Sequence, residues 1–137
     1  NAIDSIIFET LRLHPPAWIL PRLVTQTISL DGYEIREGTN VIISPYLYQR
    51  DERHFPDPNV FNPRRWENIE MKDAPAAFMP FGAGGRGCIG QRFAMVEMRE
   101  FLASFAETGK WALSGASPSE EFLLTLRPKG NITLIKA

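Results

Sequence analysis

The sequence predicts an α+β fold in which two amphipathic helices accompany a small antiparallel sheet, a long irregular segment and a glycine-rich loop. Three observations support this prediction. Apolar residues recur at helical spacing near the start and near residue 100, alternating apolar stretches separate glycine turns, and five of the ten glycines fall between Gly82 and Gly90. With 44% hydrophobic and 23% charged residues, the composition is globular rather than disordered or fibrous.

The first helix is predicted over residues 3–13, where the apolar positions that share a face are Ile3, Ile6, Ile7 and Leu11. Pro15 and Pro16 must end this helix, because proline lacks an amide hydrogen and restricts the residue before it. Glu9 and Arg12 lie three residues apart, so their side chains share one face of the helix.

A small antiparallel sheet is predicted next, with turns at Asp31-Gly32 and Glu37-Gly38. Its strands are residues 23–25, Ile28–Leu30, Tyr33–Ile35 and residues 41–44. From residue 45 to residue 80 the periodicity fades and prolines recur. This pattern predicts a meander that lies over a surface supplied by something other than itself.

The second helix is predicted over residues 90–108 and ends at Gly109. The residues of its apolar face are Ala94, Met98, Phe101, Leu102 and Phe105. Alternating apolar residues on both sides of a turn at residues 128–130 predict a terminal β-hairpin.

Charge and cysteine count exclude several classes of protein. Fifteen Lys and Arg against sixteen Asp and Glu give a net charge of -1, which argues against a nucleic-acid partner. A single cysteine, Cys88, excludes an intrachain disulfide framework and a Cys-rich zinc finger. No uncharged apolar stretch approaches the ~20 residues that span a bilayer. Helical spacing from the first residues, without an initiator Met, leads us to expect a sequence that starts inside a larger protein.

The glycine-rich loop allows more than one interpretation. Residues 82–87 fit the G-x-G-x-x-G string of dinucleotide-binding folds, which requires a strand before the loop and an acidic residue ~20 positions later. Pro75 and Pro80 interrupt the upstream segment, and no strand with such an acid follows. A phosphate-binding P-loop would need Lys and Ser or Thr where this sequence has Gln91 and Arg92.

A third interpretation starts from Cys88, which lies where the glycine loop meets the second helix. The amides and dipole of a helix N-terminus favour an anionic sulfur, and Arg86 and Arg92 add positive charge nearby. The simpler alternative is a small buried hydrophobic residue, and a cysteine nucleophile would need His14 or His54 as its base. A sulfur held in this way can also ligate haem iron, with small residues for close approach and cations for the propionates.

Residues 81–90, Phe-Gly-Ala-Gly-Gly-Arg-Gly-Cys-Ile-Gly, fit F-x-x-G-x-R-x-C-x-G at every fixed position. The sequence here resembles the cytochrome P-450 family of haem-thiolate monooxygenases. Residues 9–12 resemble the E-x-x-R of the family's K helix, and residues 61–66 resemble its meander motif. Arg64 replaces the usual glutamate and Gln49 a common histidine, and we expect neither departure to matter much because Arg65 supplies the cluster arginine.

The resemblance implies an α+β segment of the mainly α cytochrome P-450 fold. Its parts are the K helix, a small antiparallel sheet, the meander, the Cys-ligand loop, the L helix and a terminal β-hairpin. Residues 1–137 would form the C-terminal part of a single domain, with the N-terminal part, including the I helix, absent. The resemblance is compatible with two locations: the cytoplasm, as for a soluble bacterial member, or a membrane, as for an anchored member.

Site residues follow from the same resemblance. Cys88 is expected to be the axial ligand of the haem iron. The residues expected to bind the cofactor are Phe81, Arg86, Cys88, Gly90, Arg22 and Ala94. Glu9, Arg12 and Arg65 are expected to form a structural cluster rather than a catalytic one. The segments expected to line the substrate pocket, with core packing as the alternative, contain Ala17, Trp18, Ile19, Leu20, Leu124 and Thr125.

The implied activity is insertion of one oxygen atom from dioxygen into a lipophilic substrate, by hydroxylation or epoxidation, with haem b as cofactor. Electrons would come from NAD(P)H through a ferredoxin and its reductase or a flavoprotein reductase, docked near Arg86, Arg92 and Arg99. The segment alone would be inactive and hold no catalytic residue beyond the haem ligand. The competing hypotheses are a non-catalytic remnant of the haem fold and a dinucleotide-binding oxidoreductase that uses residues 82–87.

Overall fold

The computed structural model describes residues 2–137, which form three α-helices, eight short strands and three 3-10 turns. The α-helices are α1 (Ala2–Leu13), α2 (Pro45–Tyr48) and α3 (Gln91–Glu107). The strands are β1 (Leu20–Leu23), β2 (Ile28–Leu30), β3 (Tyr33–Ile35), β4 (Asn40–Ile43), β5 (Trp111–Leu113), β6 (Glu120–Phe122), β7 (Leu126–Pro128) and β8 (Leu134–Lys136). The 3-10 turns are Pro63–Trp66, Met71–Asp73 and Gly84–Arg86. None of the helices within residues 2–137 has both the length and the apolar character needed to cross a membrane.

The first sheet region consists of two antiparallel pairs, β1 with β4 and β2 with β3. The antiparallel prediction is confirmed, but the first strand is Leu20–Leu23 rather than residues 23–25. Because proline is uncommon within strands, the sequence predicted that the strand begins after Pro21. A proline is tolerated there because β1 pairs with one neighbour, β4, and so needs fewer amide donors than a central strand.

The terminal hairpin is present, but its turn is not at residues 128–130. Strands β6 and β7 pair antiparallel around residues 123–125, with Phe122 opposite Leu126. The last strand, β8, pairs instead with β5, where Trp111 lies opposite Lys136. Local alternation is the same in both arrangements, so the sequence pattern did not reveal which strand pairs with which.

The core explains how the meander is held. Ile7, Phe8 and Leu11 of α1 pack in one buried cluster with the meander residues Phe55, Trp66, Ala77 and Phe78, and with Met95 of α3. The indole of Trp66 lies 5.7 Å from the ring of Phe8 and 4.5 Å from that of Phe78. Helices α1 and α3 therefore supply a surface under the meander, as the prediction of a surface other than the meander itself requires.

Helix α3 begins and ends as predicted, since Gly90 precedes its first residue and Gly109 follows its end with a φ of 125°. The buried face of α3 differs from the predicted one. Met95 is buried, whereas Phe101 is 66% exposed and stacks on Phe105, whose ring stacks in turn on Trp111. The helix thus contacts the core with one side and the C-terminal strands with another.

Trp66 offers a test of this core. In Trp66→Phe the ring contacts are largely retained, but the indole N–H that donates to Glu9 Oε2 at 2.8 Å is lost inside the core. We expect the free energy of unfolding to fall by about 2 kcal/mol, because a buried charged acceptor loses a donor. In the control Trp111→Phe, which removes a bond to the exposed Thr108 hydroxyl, we expect less than about 0.5 kcal/mol. Equal losses in urea unfolding of the two variants would contradict the assignment.

Candidate functional site

The loop before α3 folds tightly and presents Cys88 at the surface. The amide of Cys88 donates to the carbonyl of Phe81 at 2.8 Å, and that of Gly87 donates to the carbonyl of Gly84 at 3.0 Å. Gly82 and Gly84 have φ values of 70° and 67°, which residues with a Cβ rarely adopt. The glycines of this loop therefore let it double back, and Cys88 is exposed just before the first turn of α3.

Cys88 opens into an apolar groove of about 410 Å³. Six of the predicted site residues line this groove: Ala17, Leu20, Phe81, Arg86, Cys88 and Ala94. The other lining residues are Leu11, Pro16, Pro80, Gly82 and Met98. The structure therefore brings the cysteine, one arginine and part of the segment after α1 together around one apolar space.

Other predicted residues lie outside that lining. The half-buried Arg22 donates from its guanidinium to the adjacent carbonyl of Pro21 at 2.9 Å. Gly90 caps α3, and a Cβ built there would lie 3.7 Å from the Cys88 sulfur, in ordinary contact. Trp18 turns towards the hairpin, where its indole N–H donates to the Leu123 carbonyl at 2.8 Å. Ile19 is likewise absent from the groove lining, as are Leu124, which is 97% exposed, and Thr125, in the β6–β7 turn.

The donor set of the groove fits an iron porphyrin. A porphyrin needs a flat apolar space, a ligand to its iron and cations for its carboxylates. The groove supplies an apolar wall, one exposed thiol in Cys88 and the guanidinium of Arg86. Cys88 would hold the iron and Arg86 a propionate.

Glu9 lies at the centre of a buried charged cluster. Both carboxylate oxygens accept from Arg12, each at 2.9 Å, and Arg65 Nε donates to Oε1 at 3.0 Å. The backbone amide of Asn62 and the indole of Trp66 each donate at 2.8 Å. Burial alone would raise the pKa of Glu9, but the hydrogen bonds from Arg12, Asn62, Trp66 and Arg65 outweigh it and lower the pKa to about 2.

Gln49 connects this cluster to the segment that leads into the cysteine loop. Its fully buried amide donates to the carbonyls of Leu11 and Arg12 at 3.1 and 3.0 Å. Its side-chain oxygen accepts from the amide of Met79 at 2.8 Å, and its own carbonyl accepts from Arg12 at 2.9 Å. The sequence did not reveal these bonds, and the expectation that this departure from histidine matters little stays a prediction.

Known proteins match this chain over almost its whole length. A family model described as Cytochrome P450 matches residues 2–135. The chain belongs to the cytochrome P450 family. As a P450 chain it has the predicted fold, because solved P450 structures superpose on nearly all of it. The cyanobacterial CYP120A1 bound to retinoic acid gives a TM-score of 0.87 at 29% identity, covering 97% of this chain and 31% of that one. CYP175A1 from Thermus thermophilus gives 0.84 at 36% identity, covering 96% and 33%.

Curated P450 relatives agree with this assignment. The mouse protein Cytochrome P450 4V2 is 39% identical over 135 residues, which is 95% of this chain and 25% of the relative. Cyclooctatin synthase from Streptomyces melanosporofaciens is 40% identical over 111 residues, covering 80% of this chain and 24% of the relative. The chain spans about a quarter of the length of these P450 relatives.

The structure bears on two motifs of this P450 chain, the one around Arg65 and the glycine loop. Arg65 pairs with Glu9, whereas the backbone amide of Arg64 donates to the Asn62 side chain, so Arg65 is the meander arginine that joins the Glu9 cluster. Residues 44–110, all described, contain no strand. The glycine loop therefore lacks the preceding strand that a dinucleotide-binding fold requires, and that alternative is wrong.

Acid should weaken the Glu9 cluster. Its lowered pKa means that the ionised carboxylate stabilises the fold above pH ~4.5, and this contribution, on the order of 3 kcal/mol, is lost as the pH falls towards 2. We expect Glu9→Gln to be strongly destabilised at pH 7, and the difference from wild type to shrink between pH 5 and pH 3. Urea unfolding of the full-length protein at several pH values measures this difference. Glu100→Gln, an exposed change on α3, serves as control, and a pH-independent difference for Glu9→Gln would contradict the cluster's charge.

Proposed function

We propose that residues 1–137 form the C-terminal part of a single P450 domain that acts as a haem-thiolate monooxygenase. The observation that carries this proposal is the apolar groove that Cys88 and Arg86 both line. The proposed reaction inserts one oxygen atom from dioxygen into a lipophilic organic substrate. Haem b, when bound, supplies the oxygen chemistry, and the protein binds, orients and tunes it.

The residues of this chain have separate proposed roles in holding haem. Cys88 would hold the haem iron through its sulfur, and the Phe81 ring would exclude water beside it. Arg86 pairs with one propionate and Arg22 with the other. Ala94 would leave room for the porphyrin because its side chain is a single methyl group, and Gly90 would keep the space beside the Cys88 sulfur free of a side chain.

Substrate and electron supply are also proposed. Retinoic acid, which is bound in the CYP120A1 structure, is a lipophilic molecule, and residues 17–20 of this chain, the segment expected to face the substrate, are all apolar. Electrons would come from NAD(P)H through a ferredoxin and its reductase or through a flavoprotein reductase. Of the proposed docking arginines, Arg99 pairs with Asp4 at 2.6 Å and Arg86 faces the groove, which leaves the exposed Arg92 as the cation for an acidic partner.

The ligand assignment is tested by the reduced, carbon-monoxide-bound spectrum of the full-length protein. We expect a red-shifted, thiolate-type Soret band that disappears in Cys88→Ala, because the sulfur donates charge to the iron. His54→Ala, which alters an imidazole that lies beside Tyr48, should leave the band unchanged. An imidazole-type band in wild type would overturn Cys88 as ligand, and a protein unable to bind haem would favour a non-catalytic remnant.

The partner assignment is tested by electron transfer from a reduced acidic ferredoxin. We expect Arg92→Gln to lower the association rate at low salt by about two- to fivefold and to flatten its dependence on ionic strength, because one steering charge is removed. Arg127→Gln is the matched control, since Arg127 pairs with Glu121 on the terminal hairpin. The same salt dependence in wild type and Arg92→Gln would contradict the docking assignment.

A further inference from the structure

Glu120, on strand β6, accepts contacts from three separate side chains. Its Oε1 lies 2.7 Å from His14 Nδ1 and 3.4 Å from Arg50 Nη2. Its Oε2 accepts from the Tyr46 hydroxyl at 2.6 Å. The Glu120 side chain is 25% exposed, so this carboxylate is partly withdrawn from solvent and surrounded by donors.

These three partners come from different parts of the fold. His14 follows the last residue of α1, Tyr46 belongs to α2, and Arg50 lies just beyond α2. The guanidinium of Arg50 also lies over the Tyr46 ring, 3.7 Å from its centroid. Burial would raise the pKa of Glu120, but the hydrogen bonds from Tyr46 and His14 and the charge of Arg50 lower it. One ionised carboxylate thus joins the terminal hairpin to both helices.

The hairpin that Glu120 begins also contacts one wall of the Cys88 groove. The amide of Leu126 donates to the carbonyl of Pro16 at 2.9 Å, and the Trp18 indole donates to the carbonyl of Leu123 at 2.8 Å. The hydroxyl of Ser44 donates to the carbonyl of Trp18 at 3.0 Å. Pro16 and two residues of the same segment, Ala17 and Leu20, line the groove.

The position of this wall therefore depends on where the hairpin lies. Trp18 and Tyr46 both pack edge-on against the Phe122 ring, at centroid distances of 5.2 and 5.0 Å. Phe122 is two residues from Glu120 on the same strand, so the carboxylate and the ring hold one face of the hairpin. Glu121 points the other way and pairs with Arg127 at 2.8 Å, within the hairpin itself.

We propose that Glu120 is a positioning residue that fixes hairpin β6–β7 against residues 15–20 and so sets the size of molecule that reaches a haem held in the Cys88 groove. This inference rests on the proposed function, because it takes the groove as the haem site. Glu120 touches neither cofactor nor substrate in this scheme. It acts through His14, Tyr46 and Arg50, which hold the base of the hairpin.

The test uses two probes in the full-length, haem-loaded protein: imidazole, which is small, and 4-phenylimidazole, which fills more of a pocket. The Glu120→Gln substitution keeps the size of the side chain but replaces one carboxylate oxygen by an NH2 group. This donor then faces the donor groups of Tyr46 and Arg50. We expect the dissociation constant of 4-phenylimidazole, measured from the Soret shift, to rise by about fivefold or more, while that of imidazole changes less than about twofold. Tyr46→Phe should shift the same ratio in the same direction, and Glu121→Gln should leave it unchanged.

Hydrogen exchange of the same full-length, haem-loaded protein gives a second readout. Peptides covering residues 116–128 should exchange faster in Glu120→Gln than in wild type or Glu121→Gln, with the peptides of α3 unaffected. An unchanged ligand ratio, an equal effect of Glu121→Gln, or an equal loss for both probes would overturn the positioning role. A wild-type protein that lacks the thiolate-type Soret band would instead overturn the proposed function, so the two failures are distinguishable.

Discussion

The buried carboxylate of Glu9 is the constraint on which the rest of the structure depends. A charge with no exposed surface must be surrounded by donors, and here five hydrogen bonds converge on it from Arg12, Asn62, Arg65 and Trp66. Helix α1 provides the acid and one arginine, and the meander provides the other donors. The meander can therefore take one path across α1, although it has almost no regular secondary structure of its own.

The same cluster extends towards the cysteine loop. Arg12 donates to the carbonyls of Gln49 and Pro58, and the Gln49 side chain joins the end of α1 to Met79. Trp66 adds an apolar connection, because its ring packs on Phe78. Removing one partner of such a buried polar cluster leaves the others unpaired, so each member holds the arrangement of the rest. The position of Cys88 thus depends on residues that are far from it in the sequence.

The C-terminal part is held differently. Among the described residues 108–137, Leu126 alone is buried, and the strand pairs β5–β8 and β6–β7 each span three residues per strand. Polar contacts attach this part to the rest, chiefly those of Glu120 and the bond between the Leu126 amide and Pro16. A hairpin held by few side chains can be shifted by changing one of them, which the buried core around Trp66 would resist.

The sequence by itself determined both long helices, the strands Ile28–Leu30 and Tyr33–Ile35, the glycine loop and the position of Cys88 before α3, because these depend on local periodicity, glycine and proline. The E-x-x-R spacing likewise determined that Glu9 and Arg12 would face each other. Tertiary structure decided the rest. The pairing of β8 with β5, the partners of Gln49 and Glu120, and the groove shared by Ala17, Arg86 and Cys88 all join residues distant in the chain. Such contacts are selected by packing and by the need to satisfy buried polar groups, and no local pattern records them.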